Sequence, residues 1–265
     1  NLAIECKNTV LAQVRQELEK LKKDISATPV AKSEDPIADD RGGEENYLMG
    51  LRVEGRRIAI LVDSSASMTD ETLLEIIKRK NGSEQNKKQG PKWRRTRNTV
   101  RWLLARVPRN SQVVVIYFND DKHAQSLQSW LAADSLETLK NLYKQLDTIV
   151  PEGGTNLQKG LKSVSQLGPT DLYLITDGLP TTGDSRYGSL NPFARCSSLR
   201  GNSSTITGEC RVKLFRQTIK ESSPPNTKIN VVLLPIEGDP DAINEYWSWA
   251  ALTGGLVISP AENWP

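Results

Sequence analysis

Histidine and cysteine are scarce: His123 stands alone, and Cys6, Cys196 and Cys210 are the only thiols in 265 residues. No Cys-x-x-Cys pair occurs, which argues against a structural zinc site. No apolar stretch approaches the roughly 20 residues that cross a bilayer, and no secretory leader is visible. The net charge is only +3, too small by itself to imply nucleic acid as a partner. Also missing are a Gly-x-x-x-x-Gly-Lys-[Ser/Thr] phosphate loop and a Gly-x-Ser-x-Gly nucleophile elbow. What remains is a chain with 37% hydrophobic and 25% charged residues, the balance of a globular protein. Because it opens on Asn1 and not on Met, a processed chain with a membrane anchor upstream is expected.

Residues 4–25 carry a heptad pattern. Ile4, Leu11, Leu18 and Ile25 share one seam position, while Lys7, Val14 and Leu21 share the other. About three heptads give roughly 33 Å of helix. A helix that short is marginal alone in water, so residues 1–28 read as a coiled-coil stalk that self-associates through 4–25. Folding back onto the domain is the alternative. Residues 29–53 collect Pro, Ala, Ser, Gly and acids and read as a linker.

From residue 54 onward strand and helix patterns alternate, which argues for an α/β domain with a largely parallel sheet. Strands are expected at 58–62, 113–118, 123–128, 172–177, 228–235 and 255–259. Helices are expected at 71–80, 93–106, 135–148, 156–166, up to 221, and 240–251. One helix must traverse the sheet between the first two strands. The segment 93–106 has the better apolar face in Val100, Leu103, Leu104 and Val107, so 69–92 is expected above the sheet's carboxyl edge. The insertion 179–210 is expected on that edge too.

Three separated motifs converge there. Ile58-Ala59-Ile60-Leu61-Val62 is a buried-strand run ending in Asp63-x-Ser65-x-Ser67. Glu152-Gly153-Gly154-Thr155-Asn156 places a hydroxyl on a flexible loop between two helices. Leu172-Tyr173-Leu174-Ile175-Thr176 is a second buried run, ending in Asp177-Gly178. Ligands bind at the carboxyl ends of such strands, and hard oxygens suit Mg2+.

In this order the motifs resemble the metal-ion-dependent adhesion site of the von Willebrand factor type A family. The resemblance covers roughly residues 54–265. It implies an α/β, doubly wound, mostly parallel six-stranded sheet of order 3-2-1-4-5-6. One edge strand would be antiparallel and helices would cover both faces. It also implies that Asp63, Ser65, Ser67, Thr155 and Asp177 hold Mg2+, or Mn2+, and that a protein partner's Asp or Glu completes the shell. Removing Asp63 or Asp177 is expected to abolish metal binding and leave the fold intact. A binding module is expected and not an enzyme. The alternatives are a subunit of an ATPase-driven machine or a metal-dependent phosphotransfer or hydrolytic enzyme.

Three further stretches bear on this. Between 78 and 97, Lys78, Arg79, Lys80, Lys87, Lys88, Lys92, Arg94, Arg95 and Arg97 face one acid, Glu84. A basic rim of this kind, with Lys87, Lys88, Lys92, Arg94 and Arg95 nearest the metal, would steer an acidic partner; a solvated loop is the plainer reading. Around Trp247 and Trp249, the face Ile243, Trp247, Ala250 and Ala251 is expected to be buried, leaving Trp249 exposed or under a loop. A Cys196–Cys210 bridge would close a loop of about 15 residues and contribute about 3 kcal/mol. It would place the chain in an extracytoplasmic, oxidising compartment, whereas reduced thiols would point to the cytoplasm.

Overall fold

The computed structural model describes residues 16–17, 51–120, 129–184, 207–261 and 264. The chain divides into two compact units, Asn1–Asp35 and Pro36–Pro265. In the first, Gln16 and Glu17 are helical and exposed; the rest of the heptad segment lies outside the described residues. The second unit holds all the other described residues.

Its elements run β1 Arg57–Asp63, a 3-10 turn Ala66–Thr69, α1 Leu73–Lys80, α2 Glu84–Lys88, α3 Pro91–Arg106 and β2 Gln112–Phe118. Then follow β3 Leu131–Ala132, α4 Leu136–Leu146, α5 Leu157–Leu167, β4 Asp171–Thr176, α6 Gly208–Ser222, β5 Lys228–Leu233, α7 Ala242–Leu252 and β6 Val257–Ile258. The sheet order is β3-β2-β1-β4-β5-β6. β3 alone pairs antiparallel, and the other pairings are parallel. The strand expected at 123–128 falls outside the described residues. The antiparallel edge strand among the described residues is the short Leu131–Ala132 pair.

Side chains alternate across the strands, so β1 feeds two cores. Ile58, Ile60 and Val62 pack under α3 and α4 with Trp93, Leu103 and Leu139. Ala59 and Leu61 face α5, α6 and α7 with Leu161, Phe215 and Tyr246. β1 is central and covered on both faces, which is why its sequence is a continuous apolar run. Gly160 lets α5 approach closely: a Cβ there would lie 2.9 Å from the Phe118 ring and 3.1 Å from Leu61. The sheet's amino end is closed by Leu51, which is buried, and by the Tyr173 hydroxyl, which donates to the Arg52 carbonyl at 2.8 Å. Among the described residues no helix is long and apolar enough to cross a membrane.

One helix face differs from expectation. On α7 the buried side chains are Ala242, Tyr246, Trp249 and Ala250, with Trp249 4% exposed. Trp247 is 62% and Ile243 43% exposed. Polar tips set this rotation. The Tyr246 hydroxyl donates to Gly178 O at 2.9 Å, and Trp249 Nε1 donates to Ser223 Oγ at 3.1 Å.

Candidate metal centre at the carboxyl edge of the sheet

Parallel register brings two acids to one edge. Val62 pairs with Ile175, so Asp63, ending β1, and Asp177, just past β4, leave the sheet side by side. Both are buried. Asp63 Oδ1 accepts from Ser65 N at 2.9 Å, and its Oδ2 accepts from Thr176 Oγ1 at 2.8 Å. The Ser65 and Ser67 hydroxyls lie 3.0 Å apart. Thr155 donates to Ser65 Oγ at 3.0 Å, and Ser67 donates to Asp177 Oδ1 at 3.1 Å. The structure therefore brings all five motif side chains into one connected cluster.

Three loops converge to make it. Glu152 N donates to Ser64 O at 2.8 Å, and Ala66 N donates to Gly153 O at 3.0 Å, which ties the Thr155 loop to the β1 loop. Gly153 has φ 76°, and a Cβ there would lie 2.0 Å from Asp120 Oδ1. Asp120 thus abuts this loop, while Asp121 and His123 lie outside the described residues. Beyond β4, Thr181 N and Thr182 N donate to Thr155 O at 3.0 and 3.1 Å. The first insertion also borders the cluster, through Lys87 paired to Glu152 at 3.1 Å. The second insertion does so through Thr181 and Thr182, and 185–206 lie outside the described residues.

The donor chemistry fits a small hard dication. Carboxylate and hydroxyl oxygens are what Mg2+ takes, and neighbouring oxygens of its octahedral shell, at about 2.1 Å from the ion, lie about 3.0 Å apart. The hydroxyl spacings match that edge. Among the described residues no group of three or more His, Cys, Asp or Glu gathers, so the hydroxyls are essential to any coordination here. Burial pushes the Asp63 carboxyl up to about 7, and the nearby Asp177 pushes the same way; hydrogen bonds from Ser65 and Thr176 pull it back. Two acids crowded out of water need positive charge beside them, and the Lys92 ammonium, 2.7 Å from Asp177 Oδ2, supplies one charge.

Sequence order, strand polarity and this edge site together decide the architecture. The chain has a von Willebrand factor type A-like fold. No family model matches it, and no curated protein matches it. Among solved structures it is similar to a von Willebrand factor type A protein from Catenulispora acidiphila, with 14% identity, TM-score 0.48, and 78% of this chain and 39% of that one covered. It is similar to the PilB minor pilin from Streptococcus sanguinis, with 19% identity, TM-score 0.45, and 79% and 58% covered. It is also similar to the manganese-loaded Plasmodium vivax TRAP protein, with 13% identity, TM-score 0.40, and 77% and 63% covered. The chain thus spans less than two thirds of each of these three chains.

The basic rim of this type A-like domain is not a free positive surface. Lys92 is buried, with its ammonium 2.7 Å from Asp177 Oδ2. Arg95 is also buried; it pairs with Glu71 and donates to the Trp264 and Pro260 carbonyls. Arg79 pairs with Asp70 and Arg97 with Asp147. Of the five cations expected to steer a partner, Arg94 is exposed and Lys88 half-buried. The charge run was legible as composition, but its acids come from elsewhere in the chain.

Lys92 was expected on the steering rim and lies inside the site, and Thr176 was given no role. A signal for Lys92 existed: positions 92, 96, 99, 100 and 103 recur at helical spacing, and all are buried on α3. Thr176 follows from strand alternation, since it ends β4 beside Asp63.

Proposed function

We propose that residues 54–265 form a Mg2+-dependent protein-binding module for adhesion or assembly, with Asp63, Ser65, Ser67, Thr155 and Asp177 holding the ion and Mn2+ able to replace it. What supports this most is the single hydrogen-bonded cluster of five hard-oxygen side chains from three loops. Bound there, Mg2+ would supply an electrophilic position that an Asp or Glu of a partner completes. The chain's own residues hold and orient. Ser65 N and Thr176 fix Asp63, Ser67 and Lys92 fix Asp177, and Gly153 O anchors the serine turn. With both carboxylates tied by donors, neither is placed as a general base, which supports binding over turnover.

Residues 1–28 as a self-associating stalk, 29–53 as a linker and an extracytoplasmic, membrane-tethered location belong to the same reading. So does a Cys196–Cys210 bridge. Cys210 lies buried in the first turn of α6, a placement compatible with that bridge; Cys6 and Cys196 lie outside the described residues. Peptide selection on the Mg2+-loaded chain tests the central point. Selected ligands should carry Asp or Glu, lose binding on exchange of that acid for its amide, and be released by EDTA. Binding indifferent to EDTA contradicts the proposal.

A further inference from the structure

An oxygen-donor metal centre does not call for a lysine, yet one is built into this site. The Lys92 side chain is 0% and that of Asp177 2% exposed, and their charged atoms lie 2.7 Å apart. Among the described residues Asp177 is the only acceptor that the ammonium reaches. The other oxygen of the same carboxylate accepts from Ser67, so Asp177 is already committed on both sides.

The position of Lys92 is fixed by its surroundings. Pro91 opens α3, and Gly90 before it lies so close to the 3-10 turn that a Cβ would stand 2.3 Å from Thr69 O. Thr96 Oγ1 donates to the Lys92 carbonyl at 2.9 Å, and Trp93 beside it is fully buried. The stem is therefore part of the core, and the ammonium has one place to go. With it, the charge of Asp177 is matched, while Asp63 is held by neutral donors, Ser65 N and Thr176 Oγ1. A divalent ion entering the cluster meets a like charge already resting on one of its carboxylates, and like charges at such range in a buried site repel strongly.

We propose that Lys92 is a tethered counter-cation that competes with the divalent ion for Asp177. In the metal-free chain the internal salt bridge occupies Asp177, and metal binding is weaker than the oxygen donors alone would give. This rests on the metal-site reading of Asp63, Ser65, Ser67, Thr155 and Asp177.

The test is calorimetric titration of Mn2+ into the metal-free full chain, as wild type and as Lys92→Met, which keeps the stem and removes the charge. Asp63→Ala serves as the site control. The variant should bind Mn2+ at least about tenfold more tightly, a difference of about 1.4 kcal/mol. Its metal-free melting temperature should fall below that of the wild type. Equal or weaker binding by the variant, with Asp63→Ala abolishing binding, overturns the role of Lys92 and leaves the metal site standing. No binding by either chain overturns both. Should Lys92→Met fail to fold, heteronuclear NMR of the wild type decides. The buried Lys92 ammonium should give a protected signal that shifts or vanishes as Mg2+ saturates the chain, and a signal unchanged at saturation overturns the inference.

Discussion

Asp63 and Asp177 sit side by side but are not equivalent, and substitution should separate them. Asp63 is held by neutral donors and raised to about 7 by burial and by its neighbour. An acid raised in the fold contributes stability that is fully present below its unfolded value of about 4 and is lost as the pH climbs through about 7. The metal-free chain should therefore lose up to a few kcal/mol between those values. Asp63→Asn should flatten that slope in denaturant unfolding followed against pH. Asp177→Ala instead strands the buried Lys92 ammonium, and removing one member of a buried pair costs about 3–5 kcal/mol. Equilibrium unfolding of that variant should show the loss, where the sequence led us to expect an intact fold. The five oxygen positions were legible because each follows a buried strand or a glycine loop. Lys92 was not, because a lysine among eight other cations reads as a solvated charge until its place on the α3 wheel is compared with Thr96, Val100 and Leu103.

Among the elements, α7 shows how far a pattern can mislead. Ile243 and Trp247 are the more apolar choice at helical spacing, yet Tyr246 and Trp249 face the sheet because each finds an acceptor for its polar tip, the buried Gly178 carbonyl and the half-buried Ser223 hydroxyl. Apolar periodicity ranks faces by hydrophobicity and carries no information about which hydroxyl or indole finds a partner. Trp249→Ala should cost about 3–5 kcal/mol in thermal or denaturant unfolding. Trp247→Ala should change stability by no more than about 0.5 kcal/mol. Reversed magnitudes would place the wrong face inward. The glycine of α5 makes a second case. Gly160→Ala drives a methyl into Phe118 and Leu61, so α5 must lift from the sheet at about 1–3 kcal/mol. Thr155 sits just before α5 and should move with it. The variant should lower the melting temperature and weaken Mn2+ binding together.

For the whole molecule, strand order was legible and the covering of the site was not. β1, β2 and β4 announce themselves as apolar runs, and parallel pairing then forces their carboxyl ends, with Asp63 and Asp177, to one edge. The acids that neutralise the basic stretch, Glu71, Asp147, Glu152 and Asp177 among them, come from four places in the chain. No local reading joins them to it. The edge is thus less a positive rim than a locked set of ion pairs around a cluster of oxygens, and the account stands on a divalent cation entering that cluster. Anomalous diffraction from crystals of the chain soaked in Mn2+ tests this most directly. A peak is expected within bonding distance of the Ser65 and Ser67 hydroxyls, and it should disappear in Asp63→Ala. Saturating Mn2+ with no peak among Asp63, Ser65, Ser67, Thr155 and Asp177, or with a peak only elsewhere, would contradict it.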